Sequence, residues 1–435
     1  MFERLFVPAE FVDATSDAAW LGAMLEAERA LAAAAARAGV IPGTAAEAIA
    51  AACRVEHFDA ERLALDGLSA GNPAEPLVRA LTQVLDEESG RYVHWGATSQ
   101  DVVDTAAMLL VRAGLDLLLA VLDGIADECA SLAQVHRSTP MAGRTLLQQA
   151  VPTTFGLKAA GWLVSVGDAR TTLSRVRAER LAVQLGGAAG TLAAFGDRGL
   201  EVRRLFAEEL GLAEPRVAWH TDRVRIAELA GALVAVANAI AKIAVDLALL
   251  AQSEVAEVTE AAGGGSSTMP HKRNPVGSVL AVACARQVHG YASVLTAPGS
   301  QEHERGVGGW HAEWHALSGA LAHGGGAGDA VLRTLRRLEV HPERMLENLR
   351  ASGGEVVSER LSFALVERLG RRDAHELVAA AVERARTGGR ALAEELEADD
   401  RVELSRDELD EVLDPSTYLG SAEELVDDAL GGYRG

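Results

Sequence analysis

Cysteine is scarce in this sequence, which has only Cys53, Cys129 and Cys284 among 435 residues. Three scattered cysteines are too few for a disulfide framework or a cysteine metal site, so we expect neither, and we expect a protein of the reducing cytoplasm. Aromatic residues amount to only 4%, and runs of β-branched residues are short. Alanine and leucine are abundant instead, a composition that favours an all-α protein.

Basic residues are outnumbered, since Lys and Arg total 41 against 62 Asp and Glu, which gives a net charge of −21. Such a charge opposes binding to phosphate backbones or anionic lipids, so we expect no nucleic acid and no membrane as partner. Residues 1–5 lack the basic-then-apolar plan of a secretory signal. A long helix is predicted over 222–258, but its uninterrupted apolar part, Leu229 to Ala237, is far shorter than the ~20 residues of a membrane span.

The chain is longer than a usual single core, so we expect two or three subdomains, and we take three helical segments in turn. Residues 1–103 contain short helices separated by turns. Residues 104–354 begin with a long apolar stripe at alternating spacings of three and four residues, which predicts a bundle helix with Cys129 in the core. Residues 355–435 form a smaller acidic tail, in which Ser405 and Glu408 have the spacing of a capping box. The stripe consists of Met108, Val111, Leu115, Leu118, Leu122, Ile125, Cys129 and Leu132.

The most informative stretch is residues 263–275, which read GGGSSTMPHKRNP. Its three glycines permit positive φ and leave backbone N–H groups accessible. Two serines and then three potentially cationic side chains follow, and Pro270 and Pro275 keep the cationic part out of either neighbouring helix. A solvated linker would not require this combination. A loop with hydroxyls and cations suits a site where negative charge develops on a carboxylate-bearing substrate.

This stretch resembles the signature loop of the fumarase/aspartase superfamily, Gly-Ser-Ser-x-Met-Pro-x-Lys-x-Asn-Pro, without a break from Gly265 to Pro275. The resemblance implies that Ser266, the first serine of the pair, transfers the proton. It implies that Lys272 and Asn274 stabilise enolate-like charge. His-Lys-Arg in the middle narrows the resemblance to adenylosuccinate lyases and bacterial 3-carboxy-cis,cis-muconate cycloisomerases.

A second stretch, residues 94–101, reads HWGATSQD. By itself it is a turn that ends in helix-capping residues, and a helix start with hydroxyls and free N–H groups is also a carboxylate site. It resembles the first signature region of the superfamily, in which Thr and Ser hold a substrate carboxylate. Thr98 and Ser99 are therefore candidate substrate ligands. His94 is a further candidate, or a packed histidine.

Residues 143–152 resemble the second signature region, in which lyases of the superfamily have Thr-His. Here Leu146 follows Thr145, and leucine cannot transfer a proton. Thr145 and Gln148 remain candidate substrate contacts, or polar groups that satisfy a kinked backbone before Pro152. Asn72 stands where adenylosuccinate lyases have a histidine, and is either a turn residue or a substrate contact.

Residues 301–314 contain Glu-His-Glu-Arg and Trp-His-Ala-Glu-Trp, as muconate cycloisomerases do. Arg305 is the candidate for a bidentate carboxylate clamp. Arg223 lies where the superfamily often has a ligand-binding arginine. The glycine-rich segment 184–191 lacks the spacing of a dinucleotide fingerprint and predicts tight packing or an active-site bend.

The resemblance covers nearly the whole chain and implies a three-part, all-α subunit whose long central helices assemble into a homotetramer with shared active sites. It implies the intramolecular addition of a carboxylate in a small tricarboxylate, 3-carboxy-cis,cis-muconate, to give 4-carboxymuconolactone in protocatechuate breakdown, with no metal and no organic cofactor. Leu146 and Asn72 favour this branch. The alternatives are adenylosuccinate lyase or another fumarate-releasing lyase and, in a different class, a non-enzymatic helical structural protein.

Overall fold

The structure is a computed structural model, and it describes residues 3–261, 264–265, 269 and 272–434. Within them the chain is mainly α-helical, as the composition predicts. The α-helices are α1 Glu3–Phe6, α2 Ala9–Ala14, α3 Asp17–Arg37, α4 Gly43–Ala52, α5 Ala60–Asp66, α6 Ala74–Gln83, α7 Glu87–Gly90, α8 Ser99–Val135, α9 Phe155–Glu179, α10 Gly199–Leu210, α11 Val224–Leu250, α12 Val276–Thr296, α13 Gly309–Leu335, α14 Pro342–Arg350, α15 Ser358–Gly388, α16 Leu392–Glu397, α17 Arg406–Leu413 and α18 Ala422–Arg434.

Short 3₁₀ turns and strands complete the fold. The strands pair as three antiparallel two-stranded ladders: β1 with β2, β3 with β6 and β4 with β5. The strands are β1 Pro140–Thr145, β2 Gln148–Thr154, β3 Val258–Glu260, β4 Gly264–Gly265, β5 Arg273–Asn274 and β6 Leu338–Val340, and the 3₁₀ turns are Val55–His57, Ala193–Arg198, Glu355–Val357 and Pro415–Thr417.

Packing divides the chain into two compact units. The first unit comprises residues 1–123, 168–241 and 280–331, and the second comprises 124–167, 242–279 and 332–435. Segments that are far apart in sequence therefore build each unit.

The predicted stripe on α8 is buried from Met108 through Cys129, and only its last member, Leu132, is partly exposed. The helix begins at Ser99, five residues before the predicted start at Asp104. Helix α11 ends at Leu250, eight residues short of the predicted end. The capping box at Ser405 and Glu408 is present as predicted.

Among the residues that the structure describes, two helices, α8 and α11, are long and apolar enough to cross a membrane by length and composition. Their most apolar windows are 56% and 50% buried inside the chain. Burial on this scale is that of core helices in a bundle, although part of each apolar surface stays uncovered within one copy.

Candidate active site

The start of α8 is held by the buried carboxylate of Asp101. It accepts hydrogen bonds from the backbone N–H of Thr98 at 3.0 Å, of Gly186 at 3.0 Å and of Gly187 at 2.8 Å. Its Oδ1 also lies 2.7 Å from His220 Nε2. A carboxylate with this many partners fixes the helix start to the glycine-rich segment 184–191, which confirms tight packing there.

The predicted carboxylate ligands lie beside this anchor. Thr98 and Ser99 are half-buried, and within the described part of the chain neither hydroxyl has a hydrogen-bond partner. Their position at the N-terminus of a 37-residue helix places them where the helix dipole favours an anion. The corner can therefore receive a carboxylate.

A buried arginine, Arg223, contacts α8 about one turn after the start of the helix. Arg223 is 2% exposed and donates to both oxygens of Asp104, at 2.9 and 3.0 Å. It also donates to both oxygens of Glu313, with Nε–Oε1 at 3.0 Å. Burial raises the pKa of Glu313, and Arg223 opposes this shift. The guanidinium is occupied by two protein carboxylates, so the sequence interpretation of Arg223 as a ligand-binding arginine is wrong.

Arg305 lies at the other side of the helix start. Its Nη1 donates to Gln100 Oε1 at 3.1 Å and its Nη2 to the carbonyl of Ala188 at 2.9 Å. Since Ala188 belongs to the segment 184–191 that Asp101 holds, and Gln100 follows Ser99, Arg305 and the Thr98–Ser99 corner form one connected cluster. Within the described residues Nε–H has no acceptor and is available to a ligand.

His94 is paired with a carboxylate that the sequence does not indicate. Its Nδ1 lies 2.6 Å from Oε1 of Glu28, a 1% exposed residue of α3. Burial lowers the pKa of His94, but Glu28 raises it by more, so the pKa lies above the ordinary value. His94 also has φ of 58°, which is rare for a non-glycine residue. The ring is thus held in place by Glu28.

Asn72 has its amide engaged by the local backbone. Its Oδ1 accepts from the N–H groups of Ala74 and Glu75 at 3.1 and 3.2 Å, and its Nδ2 donates to Ala70 at 3.0 Å. These are the bonds of a turn that caps α6. Asn72 also lines a cavity of about 520 Å³ with Trp20, His315 and Ser318.

Thr145 and Gln148 belong to the second unit, where they pair across the end of the β1–β2 hairpin. Leu146 and Leu147 form its tip with φ of 51° and 65°. Leu146 is 97% exposed. The residue that replaces the usual histidine is therefore presented to the outside of the chain.

The hairpin is fixed by an ion pair between the half-buried Arg144 and a buried carboxylate. Arg144 donates to both oxygens of Glu257, at 2.8 and 2.6 Å, and Glu257 is fully buried. Asn348 Nδ2 donates to the same carboxylate at 2.9 Å. Arg144 directly precedes Thr145, so this pair sets the position of the tip.

In the signature loop, Ser266 and Ser267 lie outside the described residues. Lys272 is exposed, and its N–H donates to Met269 O at 3.0 Å. Asn274 pairs with Gly264 in the β4–β5 ladder.

Glu260 joins the two ends of this loop. Its carboxylate accepts from the N–H groups of Gly277 and Ser278, at 2.9 and 3.1 Å, and from Ser278 Oγ at 2.5 Å. A Cβ on Gly277 would lie 2.0 Å from Thr334 Oγ1, so only glycine fits this junction. Both the entry and the exit of the loop are therefore fixed in the second unit.

The structure adds Glu28, Gln100, Asp104, Glu257 and Glu260 to the candidates. Each acts through a partner at least 17 residues away in the sequence. Gln100 and Asp104 lie near the helix start that the sequence indicates, whereas no sequence signal points to the other three. In the described part of the chain, no group of three or more His, Cys, Asp or Glu side chains is placed to hold a metal.

Comparison with known proteins matches residues 9–290 to the lyase family model and residues 354–429 to the model of the adenylosuccinate lyase C-terminus. A 3-carboxy-cis,cis-muconate cycloisomerase of Bradyrhizobium diazoefficiens is 46% identical over 96% of this chain and 94% of its own length. A nitrosuccinate lyase of Streptomyces davaonensis is also 46% identical, over 96% of this chain and 92% of its own.

Among solved structures, the chain superimposes on the crystal structure of 3-carboxy-cis,cis-muconate lactonizing enzyme from Pseudomonas putida with a TM-score of 0.94. The two are 42% identical, and the match covers 100% of this chain and 99% of that one.

The buried arginine gives a direct test of the cluster. We expect Arg223→Met to lower the free energy of unfolding by about 3–5 kcal/mol, because it leaves Asp104 and Glu313 buried and unpaired. Arg37→Met is the matched control, since Arg37 also pairs with two carboxylates, Glu208 and Glu209, but at the surface. We expect it to change little. Guanidinium unfolding followed by tryptophan fluorescence measures both, and equal stability of the two variants would contradict the assignment.

Proposed function

The chain belongs to the lyase family of the fumarase/aspartase superfamily, and from this membership we propose that it is a 3-carboxy-cis,cis-muconate cycloisomerase. The structural observation that supports this most directly is the carboxylate corner of Thr98, Ser99 and Arg305. It offers two unengaged hydroxyls, a helix N-terminus and a guanidinium within one connected cluster. That set suits a substrate with several carboxylates.

In the proposed reaction one substrate carboxylate adds to a double bond. The new C–O bond forms as the π electrons move to the adjacent carbon, which is α to another carboxylate, and that carbon then takes a proton. A tricarboxylate becomes a lactone with two carboxylates, so one proton is consumed. The intermediate carries extra negative charge on an aci-carboxylate, and fixed donors and cations are the main source of its stabilisation.

The roles of the signature-loop residues are carried over from the superfamily. Ser266 donates the proton to carbon, and Lys272 and Asn274 stabilise the enolate-like charge. By the same carry-over Thr145, Gln148, Asn72 and His94 are substrate contacts. Support for the first two comes from the hairpin that presents them beside Leu146. Support for His94 comes from its pairing with Glu28, which keeps the ring oriented.

Leu146 separates this reaction from amine elimination. A lyase that expels an amine needs an acid to protonate nitrogen, whereas a carboxylate leaves as a weak base in the reverse reaction. Nitrite is also a weak base. Elimination from nitrosuccinate is therefore the second candidate function, favoured by the nitrosuccinate lyase that is 46% identical. Leu146 excludes neither of these two reactions, so substrate assays must distinguish them.

We also infer a homotetramer with shared sites. Only about half of the apolar windows of α8 and α11 is buried within one copy, and Val245 and Leu249 on α11 are 42% and 37% exposed. Apolar helix surface of this kind suits contact with further copies. The proposed enzyme acts in the cytoplasm, without a membrane or nucleic acid as partner, on a small tricarboxylate.

The substrate prediction is tested with purified protein. We expect 3-carboxy-cis,cis-muconate to lose its diene absorbance, because the addition removes one of the conjugated double bonds. We expect no fumarate from adenylosuccinate or argininosuccinate, because Leu146 supplies no acid. Nitrosuccinate is assayed in parallel through released nitrite. Rapid nitrite release with the muconate untouched would replace the first function by the second, and no turnover of any of these compounds would favour a structural protein.

A second prediction concerns the two serines. Ser266→Ala should lower kcat by on the order of 10²–10⁴, the usual contribution of one proton-transfer group. Ser267→Ala is the matched control and should have the smaller effect. Stopped-flow or steady-state absorbance gives both values, with circular dichroism to check folding. If Ser267→Ala is the more severe, the superfamily role has been assigned to the wrong serine.

The assembly is tested by mass and by mixing. Sedimentation equilibrium should give four times the 45.6 kDa of the chain. Ser266→Ala and Thr98→Ala variants, each nearly inactive, should regain partial activity when they are unfolded and refolded together, because some sites then receive both wild-type segments. A confirmed mixed tetramer without any recovery would show that one copy supplies the whole site.

A further inference from the structure

Gln100 connects the surface of the candidate site to its buried interior. It is the second residue of α8 and is fully buried. Its Oε1 accepts from Arg305 Nη1 at 3.1 Å, and its Nε2 donates to Asp104 Oδ2 at 3.1 Å and to the carbonyl of His220 at 2.9 Å. One amide thus joins the half-buried arginine to the buried cluster of Arg223.

The orientation of this amide is determined by its surroundings. Asp104 and the His220 carbonyl are both acceptors, so the NH₂ group must face them. The oxygen must then face Arg305, which can only donate. A flipped amide would place its oxygen against Asp104 and its NH₂ against a guanidinium, which would leave buried groups unsatisfied.

Asp104 cannot shift to accommodate another arrangement. Its carboxylate accepts two bonds from Arg223, one from Trp310 Nε1 at 3.0 Å and a longer one from Gln184 Nε2 at 3.3 Å, in addition to that from Gln100. Because all four of these partners are buried, the cluster is a rigid support. Arg305, at its edge, is aligned by Gln100 on one side and by the Ala188 carbonyl on the other.

We propose that Gln100 is a positioning residue that sets the direction of the Arg305 guanidinium and thereby the affinity for a substrate carboxylate. With Nη1 on Gln100 and Nη2 on Ala188, the remaining N–H groups of Arg305 include Nε–H. Because two of its nitrogens are held, the guanidinium keeps one orientation before the ligand binds, and less side-chain conformational entropy is lost on binding. The inference rests on the proposed function, because it takes Arg305 to contact the substrate.

A double-mutant cycle tests the proposal. Gln100→Leu should lower kcat/KM by about 10- to 100-fold, the usual range for losing a hydrogen bond to a charged group, with most of the change in KM. In an Arg305→Met background the same substitution should lower kcat/KM by less than about threefold, because its partner is already gone. Gln83→Leu, at an exposed position at the end of α6, is the control and should leave both constants unchanged.

A merely structural role predicts a different pattern. Gln100→Leu would then lower kcat/KM by the same factor in both backgrounds, and that outcome would overturn the proposal. The cycle is run on whichever of the muconate and nitrosuccinate the wild type turns over. If the wild type does not turn over the muconate, the proposed function fails. That result is separate from the coupling between positions 100 and 305, which the cycle measures.

Gln100→Glu gives a second test that retains the side-chain shape and serves if the leucine variant does not fold. A protonated carboxyl group can donate one hydrogen bond to Asp104 and accept one from Arg305, so it keeps these two contacts and loses only the bond to the His220 carbonyl. A carboxylate would face Asp104 without any donor. The activity of Gln100→Glu relative to wild type should rise as the pH falls. Wild-type activity at every pH would show that the donor side of Gln100 does not matter and would contradict the proposal.

Discussion

The pairing of Arg223 with Asp104 and Glu313 is the interaction on which the candidate site depends. All three side chains are buried, and charges removed from water are tolerated only when each is closely paired and hydrogen bonded. Asp104 lies four residues after Gln100, so both project from the same face of α8. The buried pair therefore fixes Gln100, which in turn contacts Arg305, while Asp101 fixes the start of the same helix.

Buried carboxylates also fix the position of two other segments. Glu257 holds the hairpin that carries Thr145 and Gln148, and Glu260 holds the end of the loop that carries Lys272 and Asn274. In each case the acid accepts from a guanidinium or from backbone N–H groups. A chain with a net charge of −21 thus places internal acids beside the segments that are proposed to bind an anionic substrate.

Much of the helical architecture follows from the sequence, because a stripe with helical spacing or a capping box is a local property of neighbouring residues. The long-range partners do not follow. Arg223 and Asp104 are 119 residues apart, and by pattern Arg223 is indistinguishable from a ligand-binding arginine. The end of α11 was also predicted too late. The helix stops at Leu250 because the residues that follow make other contacts. Glu257 accepts hydrogen bonds from Arg144, and Val258 begins a strand that pairs with β6.

The hairpin tip was the feature least accessible from sequence. Turns with two residues at positive φ usually contain Asn-Gly or Asp-Gly, and Leu146 and Leu147 give no such signal. Each leucine in this conformation costs about 1–2 kcal/mol, and exposure of 97% and 76% leaves this strain without compensating burial inside the chain. It persists because the β1–β2 ladder and the Arg144–Glu257 pair determine the backbone on both sides. An exposed, strained apolar tip gains stability when another surface covers it, which is the arrangement that a tetramer with shared sites would provide. The proposed assembly would then offset the strain of the segment that supplies Thr145 and Gln148.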